Sequence, residues 1–201
     1  NLTPVNDAPL AVNDSTNRLE DVSVTVNVLA NDSDPEGTPL AITGTSTTNG
    51  VIVNNATNLV FTPATNFNGP VVFSYTISDG TNSATDNVTV TVNAVNDAPG
   101  ANNDAFALLK NATLTIPAAG ILTNDTDVEG DALSALLVTN VTHGTRSWNP
   151  NGGFTYTPVS NYVGADVFAY RALDASATSG VATVTLTIQA TNTPPVANND
   201  A

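Results

Sequence analysis

Residues 88–99 read Val-Thr-Val-Thr-Val-Asn-Ala-Val-Asn-Asp-Ala-Pro, and this stretch indicates the class of fold. Its first half alternates Val with Thr, which is the period of two expected for a strand that buries one face. Its second half, residues 95–99, repeats the Val-Asn-Asp-Ala-Pro phrase of residues 5–9. A strand that runs into a recurring phrase predicts a chain of repeated β-domains.

Other motifs recur in the same order. The loop at residues 31–37, Asn-Asp-Ser-Asp-Pro-Glu-Gly, returns at residues 124–130 as Asn-Asp-Thr-Asp-Val-Glu-Gly. The strand sequence Phe-Ser-Tyr at residues 73–75 returns as Phe-Ala-Tyr at residues 168–170. The shift grows along the unit, from 90 (95 minus 5) to 93 (124 minus 31) and 95 (168 minus 73). This growth places short insertions in the connections and leaves the strands equal in length.

The repeat divides the chain into two complete units. We assign residues 1–9 to the linker from a preceding repeat, 10–98 to the first repeat, 99–192 to the second, and 193–201 to a linker and the start of a third. Turn-rich clusters separate about seven strand segments in each unit, as an antiparallel β-sandwich requires. The sequence therefore predicts an all-β chain of two tandem β-sandwich domains in an extended array.

Aromatic residues fall into two groups. Seven are predicted to be core, six of them because they recur in register between the units and Phe154 because it lies on the same strand as Tyr156: Phe61, Phe73, Tyr75, Phe154, Tyr156, Phe168 and Tyr170. His143 and Trp148 have no aromatic counterpart in the first unit, and ordinary packing or exposure is the simplest interpretation of both. A sugar ring stacked on Trp148 is the alternative, although a lone aromatic is weak evidence for it.

The composition is strongly acidic. The chain has 18 Asp and Glu against 4 Lys and Arg, for a formal net charge of −14. This charge argues against nucleic acid and anionic membrane surfaces as partners, and it makes metal cations the natural counter-charge. No run approaches the roughly 20 apolar residues of a membrane span, so direct membrane insertion is not expected.

Side chains that usually carry catalysis are scarce. The chain has no Cys and one His, and Lys110 is its only lysine. General-base and nucleophile pairs normally use these residue types, so we predict that the chain is not an enzyme. The absence of Cys also excludes disulfides, which stabilise many extracellular domains. Calcium held by oxygen ligands is a candidate for the same stabilising role.

The repeated motifs together resemble bacterial cadherin-like and immunoglobulin-like tandem repeats of about 95 residues, which occur in large surface and biofilm adhesins. The resemblance is carried by the V-N-D-A-P phrase, the N-D-x-D-x-E-G loop, the F/Y-T-P step, the N-F/Y-x-G turn, the F-x-Y strand and the final T-V-T-V strand. It implies Greek-key β-sandwiches, secretion to the cell surface, calcium binding, and adhesion or spacing with neighbouring repeats as partners. The alternative is a secreted module that binds a carbohydrate or a cell-surface protein.

The two acidic loops are the first candidates for calcium ligands. Each alternates three acids and ends on Gly: Asp32, Asp34 and Glu36 in the first repeat, and Asp125, Asp127 and Glu129 in the second. The pattern opens like an EF-hand loop, but the twelfth position holds Thr43 or Leu136 where an EF-hand needs a bidentate Glu. Calcium takes about six to eight oxygens, so further ligands must come from elsewhere in the fold. A solvated hairpin turn would use the same residue types.

Strand direction predicts where the further ligands lie. The strand at residues 71–78 should deliver Asp79 to the end at which the linker enters. The cadherin resemblance carries the same role to Asp174, with the linker residues Asn96 and Asp97 completing the cluster. Asp7, in the first copy of the linker phrase, and Asp104, at the start of the second repeat's first strand, belong to the predicted set as well.

The turn between the first two strands differs between the repeats. It carries Glu20 and Asp21 in the first repeat, and Lys110 and Asn111 in the second. The linker also changes, because Thr193 stands where the earlier linker has Asp97. We therefore expect Glu20 and Asp21 to supply ligands for calcium between repeats 1 and 2, and weaker or no calcium binding between repeats 2 and 3.

Overall fold

The computed structural model describes residues 5–46 and 49–191 of the chain. It divides into two compact units, residues 1–95 and 96–201, called unit 1 and unit 2 below. Thr193 and the predicted start of a third repeat at residues 193–201 lie outside the described residues. Within the described ranges, no helix is long and apolar enough to cross a membrane.

Unit 1 is a β-sandwich of seven strands, in agreement with the number of turn-separated segments. The strands are β1 (Asp14–Leu19), β2 (Val24–Val26), β3 (Ala41–Ser46), β4 (Gly50–Asn54), β5 (Leu59–Pro63), β6 (Gly69–Ser78) and β7 (Ser83–Asn93). One sheet has the order β1-β7-β6-β3 and the other the order β2-β5-β4. Strand β1 runs parallel to β7, and the remaining pairs are antiparallel.

Unit 2 has the same topology. Its strands are β8 (Asp104–Leu109), β9 (Leu114–Ile116), β10 (Ser134–Thr139), β11 (Gly144–Trp148), β12 (Phe154–Pro158), β13 (Gly164–Leu173) and β14 (Ala182–Gln189). The sheets have the orders β10-β13-β14-β8 and β11-β12-β9, with β8 parallel to β14. The predicted fold class, all-β with two tandem β-sandwich domains, is confirmed.

The core of each unit lies between its two sheets. Alternate residues of the long strands are buried, as in Phe73, Tyr75 and Ile77 of β6. All seven aromatic residues predicted to be core are at most 3% exposed. Burying a side chain of this size contributes about 1.5 to 3 kcal/mol, so these residues account for much of each unit's stability.

One buried carboxylate in unit 2 was not singled out from the sequence. Asp166, on β13, is 1% exposed. Its carboxylate accepts hydrogen bonds from the backbone N–H groups of Thr142 (2.9 Å) and His143 (2.8 Å) and from the hydroxyl of Tyr156 (2.9 Å). Burial alone would raise the pKa of Asp166, but these hydrogen bonds outweigh burial and hold the pKa below its ordinary value. Asp166 therefore anchors the turn between β10 and β11 as an anion.

Trp148 and His143 are both engaged with neighbouring side chains. The ring of Trp148 meets Phe168 edge-on at 6.1 Å, and the Arg146 guanidinium lies 4.9 Å from the centre of the Trp148 ring. His143 stacks on Tyr162 at 4.4 Å. Because Trp148 packs partly into the core cluster, its geometry gives no support to a sugar-stacking role.

Candidate metal site

The linker phrase of unit 1 is bound to two acidic segments. The side-chain amide of Asn6 donates to Asp79 Oδ2 at 2.7 Å, and the backbone N–H of Asp7 donates to Glu36 Oε2 at 3.3 Å. The side-chain amide of Asn82 donates to the carbonyl of Asn6 at 3.0 Å. The linker, the loop at residues 31–37 and the β6–β7 hairpin therefore meet at one end of unit 1.

Unit 2 repeats the first two of these contacts. The Asn96 amide donates to Asp174 Oδ2 at 3.1 Å, and the Asp97 backbone N–H donates to Glu129 Oε2 at 3.2 Å. Carboxylate oxygens of Asp97 and Glu129 lie within 4.8 Å of each other. The linker end of each unit, called the entry end below, thus brings together a linker Asp, a loop Glu and a hairpin Asp.

The central acid of each loop has one engaged and one free oxygen. Asp34 Oδ1 accepts the backbone N–H groups of Glu36 at 3.0 Å and Thr38 at 2.9 Å. Asp127 Oδ1 accepts those of Glu129 at 3.1 Å and Asp131 at 2.9 Å. The glycine that ends each loop has φ near +75°, a conformation that Gly adopts without strain. Oδ1 of each Asp therefore shapes the loop, and Oδ2 is left without a hydrogen-bond donor and available to bind a cation.

Several carboxylate oxygens at the entry ends are buried without a donor. They are Asp34 Oδ2 in unit 1 and Asp97 Oδ2, Asp127 Oδ2 and Glu129 Oε1 in unit 2, and none has a hydrogen-bond partner among the described residues. A buried carboxylate oxygen is costly unless something positive faces it. Hard oxygen ligands of this kind are what Ca²⁺ prefers, so the donor set fits a calcium ion.

The hairpin acids are held as anions. Backbone N–H groups of Thr81 and Asn82, together with the Asn6 amide, lower the pKa of Asp79. Backbone N–H groups of Ser176 and Ala177, followed by the Asn96 amide, lower the pKa of Asp174. Both groups are therefore charged at neutral pH and suited to bind a cation.

The first acid of each loop faces a buried tyrosine. Asp32 Oδ1 accepts the Val12 backbone N–H at 2.8 Å and the Tyr75 hydroxyl at 3.0 Å. Asp125 Oδ1 accepts the Asn102 backbone N–H at 2.8 Å and the Tyr170 hydroxyl at 3.1 Å. These carboxylates tie the loop to the segment just before the first strand and, through the tyrosine, to the sheet.

Asp104, like Asp125, contacts the buried tyrosine of unit 2. Its Oδ2 accepts the Tyr170 hydroxyl at 3.3 Å. Burial raises the pKa of Asp104 to about 6, the Tyr170 hydrogen bond opposes this shift, and the charge of Asp125 adds to it. The predicted ligand set thus divides in space. In unit 2 the carboxylates of Asp97 and Glu129 lie close together and Asp174 is joined to the linker through the Asn96 amide. The carboxylates of Asp32, Asp104 and Asp125 contact the tyrosines instead.

The turn at the other end of unit 1 carries a buried acid. Glu20 is 3% exposed, and its Oε1 accepts the Val95 backbone N–H at 2.6 Å. Asp21 adopts φ of 57° and accepts the Asn66 backbone N–H at 3.1 Å. In unit 2 the matching turn holds Lys110 and Asn111, and the Asn111 side chain accepts the Asn161 backbone N–H at 2.8 Å. The turn keeps its local structure in unit 2 but loses its two carboxylates.

Comparison with known families agrees with the fold and the repeat. Residues 6–93 match the bacterial Ig domain family, and residues 96–190 match the bacterial cadherin-like domain family. The chain belongs to these families as a tandem of one domain of each, which confirms the resemblance. No curated protein matches the chain.

Solved structures include similar tandem domains. Human protocadherin-24 EC1-2 gives a TM-score of 0.58 at 16% identity, over 94% of this chain and 100% of that chain. Human mucin-like protocadherin EC1-2 gives a TM-score of 0.56 at 17% identity, over 91% of this chain and 98% of that chain. An endo-fucoidan hydrolase from glycoside hydrolase family 107 gives a TM-score of only 0.39 at 22% identity. The match covers 92% of this chain and 29% of that chain. The likeness to the protocadherins shows a shared fold.

Proposed function

We propose that the chain is a calcium-stiffened extender segment of a large secreted bacterial surface protein, with a structural role in cell adhesion or biofilm. The observation that carries the proposal is the entry end of unit 2, at which the linker residue Asp97 and the loop residue Glu129 have buried carboxylate oxygens without donors and lie within 4.8 Å of each other. Bacterial Ig-like and cadherin-like domains in tandem are suited to act as spacers, with neighbouring repeats of the same chain as their first partners. A cell-surface protein or glycan at the end of the array is the expected adhesion target.

Calcium would be held by residues of three segments. In unit 2 these are the linker residues Asn96 and Asp97, the loop residues Asp127 and Glu129, and the hairpin residue Asp174. In unit 1 the matching residues are Asp7, Asp34, Glu36 and Asp79. When bound, the ion supplies positive charge to the buried oxygens and joins linker to loop and hairpin. Without it the carboxylates repel one another, and the linker is released.

The proposed extracellular location follows from the higher calcium concentration outside cells. Extracellular modules bind calcium at about 0.1 to 1 mM, so such sites fill outside a cell and empty inside it. Secretion would then stiffen the array. Catalysis is not part of the proposal, because the clustered carboxylates already have a ligand role.

The contribution of Glu20 and Asp21 to calcium at the linker of unit 2 stays a prediction. If it holds, Glu20→Gln weakens calcium binding to the linker of unit 2 and leaves binding to unit 1 unchanged.

Small-angle X-ray scattering of the chain in calcium and in chelator tests the proposed stiffening. Calcium is expected to increase the largest dimension and narrow the distribution of distances, because an ordered linker restricts the angle between neighbouring domains. Asp97→Asn should scatter in calcium as wild type does in chelator. Asp86→Asn removes one charge outside the proposed ligand set and should behave as wild type. Superimposable wild-type curves with and without calcium would overturn the stiffening role.

A further inference from the structure

Two connections of unit 2 are longer than those of unit 1, and they contact each other. Four residues separate β9 from Ile121, where one residue separates β2 from Val28. The β11–β12 hairpin has five connecting residues and the β4–β5 hairpin has four. We call residues 117–120 and 149–153 the extra loops of unit 2. The Ala119 backbone N–H donates to the Asn151 carbonyl at 2.9 Å, so the extra loops form one structure.

The backbone of the extra loops is strained where they meet. Ala119 has φ of 66°, in the left-handed region that a residue with a Cβ adopts only at a cost. Gly152 has φ of 85°, and a Cβ there would lie 2.5 Å from the Ala119 carbonyl oxygen. The close approach of the two loops therefore fixes their shape, as expected for a part of the surface that presents side chains to a ligand.

A pocket of about 300 Å³ is lined by both extra loops and by the adjoining strand ends. Its apolar wall consists of Trp148, Phe154 and Ile116, which are cross-strand neighbours on β11, β12 and β9. The equivalent residues of unit 1 are Asn54, Leu59 and Val26. The Arg146 guanidinium lies over the Trp148 ring, so this ring closes one side of the pocket and is not a free stacking platform.

The polar lining of the pocket presents hydrogen-bond donors. Asn149 Oδ1 accepts the Asn151 backbone N–H, and Asn151 Oδ1 accepts the Gly153 backbone N–H, both at 3.1 Å. These bonds orient the two side chains, whose Nδ2 groups donate to no other described residue. The hydroxyls of Ser147 and Thr155, 2.6 Å apart, also line the pocket and can both donate and accept.

The hairpin of unit 1 uses its amides differently. Asn54 Nδ2 donates to the Ile42 carbonyl at 3.0 Å, and Asn55 Nδ2 donates to Asn58 Oδ1 at 2.8 Å. These amide groups are satisfied within the fold. The amide donors and the aromatic wall are therefore features of unit 2 that the shared fold does not require.

The chemistry of the lining defines the class of ligand. None of the side chains that line the pocket is ionisable, so a charged ligand finds no counter-charge there. The net charge of the chain, −14, also disfavours an anionic ligand. Amide and hydroxyl donors require oxygen acceptors, and the apolar wall requires C–H groups. A neutral sugar residue carries both on one small molecule.

We propose that this pocket of unit 2 binds a neutral sugar residue of a glycan. The Asn149 and Asn151 amides donate to the sugar oxygens, and the wall of Trp148, Phe154 and Ile116 packs against its C–H groups. The site goes beyond the spacer role proposed above and needs no calcium. Its failure and the failure of the calcium model are therefore distinguishable.

Intrinsic fluorescence tests the site directly, because Trp148 is the only tryptophan of the chain. The chain in chelator is titrated with glucose, galactose, mannose, N-acetylglucosamine and short neutral oligomers of each. At least one sugar is expected to change the emission saturably, with a dissociation constant of about 1 mM, because one small pocket contacts few ligand atoms.

The variant Asn149→Asp with Asn151→Asp keeps the oxygen that accepts the backbone N–H and removes the Nδ2 donors. We expect it to weaken binding at least tenfold. Asn17→Asp with Asn87→Asp is the matched control, since it adds the same two charges at exposed asparagines of unit 1 and should bind as wild type. Both variants should melt as wild type in chelator.

Three results would overturn the proposal. The first is wild-type emission that no sugar changes up to about 100 mM, a hundredfold above the expected dissociation constant. The second is sugar binding that the Asn149 and Asn151 variant retains in full, or that the control variant loses equally. The third is emission that responds to neutral peptides and to none of the sugars, which would assign the pocket to a protein partner.

Discussion

Calcium is expected to raise the melting temperature of the chain by roughly 10 to 20 °C. A ligand at a hundredfold excess over its dissociation constant adds about 2.7 kcal/mol to the free energy of unfolding. For a domain of this size, about 1 kcal/mol moves the melting temperature by about 4 to 8 °C. The shift should be seen in differential scanning calorimetry as a difference between calcium and chelator.

The variants make this prediction specific. Asp34→Asn and Asp127→Asn keep the oxygen that shapes the loop but remove the charge on the buried oxygen without a donor. We expect the double variant to lose most of the calcium shift and to melt at or above wild type in chelator, because carboxylate repulsion is reduced. Asp86→Asn is the control. The calcium site is wrong if the double variant keeps the full shift, or if wild type shows none.

Asp166→Val is expected to destabilise unit 2 by about 2 to 4 kcal/mol. The change leaves the backbone N–H groups of Thr142 and His143 without their acceptor, and each buried unsatisfied donor costs about 1 to 3 kcal/mol. The Tyr156 hydroxyl loses its 2.9 Å hydrogen bond and keeps a longer one, 3.3 Å, to the His143 carbonyl. Partial hydration of the turn offsets part of this sum. Chemical denaturation monitored by near-ultraviolet circular dichroism measures the loss.

Unit 1 supplies the control for Asp166. Its equivalent residues are Val71 and Phe61, by a shift of 95, and both are buried. Adding Tyr156→Phe to Asp166→Val should therefore recover about 0.5 to 1 kcal/mol, because the hydroxyl is left with only its long, 3.3 Å hydrogen bond to the His143 carbonyl. A double variant that is less stable than the single one would contradict the assigned role of the hydroxyl.

The pH dependence of stability provides a second test of the role of Asp166. Its pKa is lowered on folding, so the stability it contributes is present above about pH 4 and lost as the pH falls through the lower folded pKa. Between pH 4 and pH 2, wild type should lose more stability in unit 2 than Asp166→Val does. Equal losses would show that the carboxylate is not held as an anion by the fold.

The architecture followed from the sequence because it depends on local patterns. Alternating strands, turn clusters and recurring aromatics predicted seven strands per unit and the buried rings of Phe61 and Tyr170. Strand direction also placed Asp79 beside the linker, where the Asn6 amide meets it. Strand ends were less predictable: residues 22–26 alternate as Val-Ser-Val-Thr-Val, which favours a strand over the whole segment, but only Val24–Val26 forms one.

The sequence did not predict which acids of the candidate ligand set contact a tyrosine and which lie near the linker. Asp32 and Asp34 are equivalent in an alternating pattern, yet Asp32 turns to a tyrosine hydroxyl 43 residues away and Asp34 does not. That contact depends on how β6 packs over the loop. Asp166 left a signal that could have been used, since an acid on the buried side of an alternating strand needs local donors. Its partner Tyr156 replaces a phenylalanine of the first repeat at the same position.

The most direct measurement of the central claim is a calcium titration of the chain by isothermal calorimetry, starting from chelated protein. We predict saturable binding in the range of about 0.1 to 1 mM. We further predict that Asp34→Asn removes the part due to unit 1 and Asp127→Asn the part due to unit 2. Heats that show no saturable binding, or binding that persists unchanged in the double variant, would contradict the account.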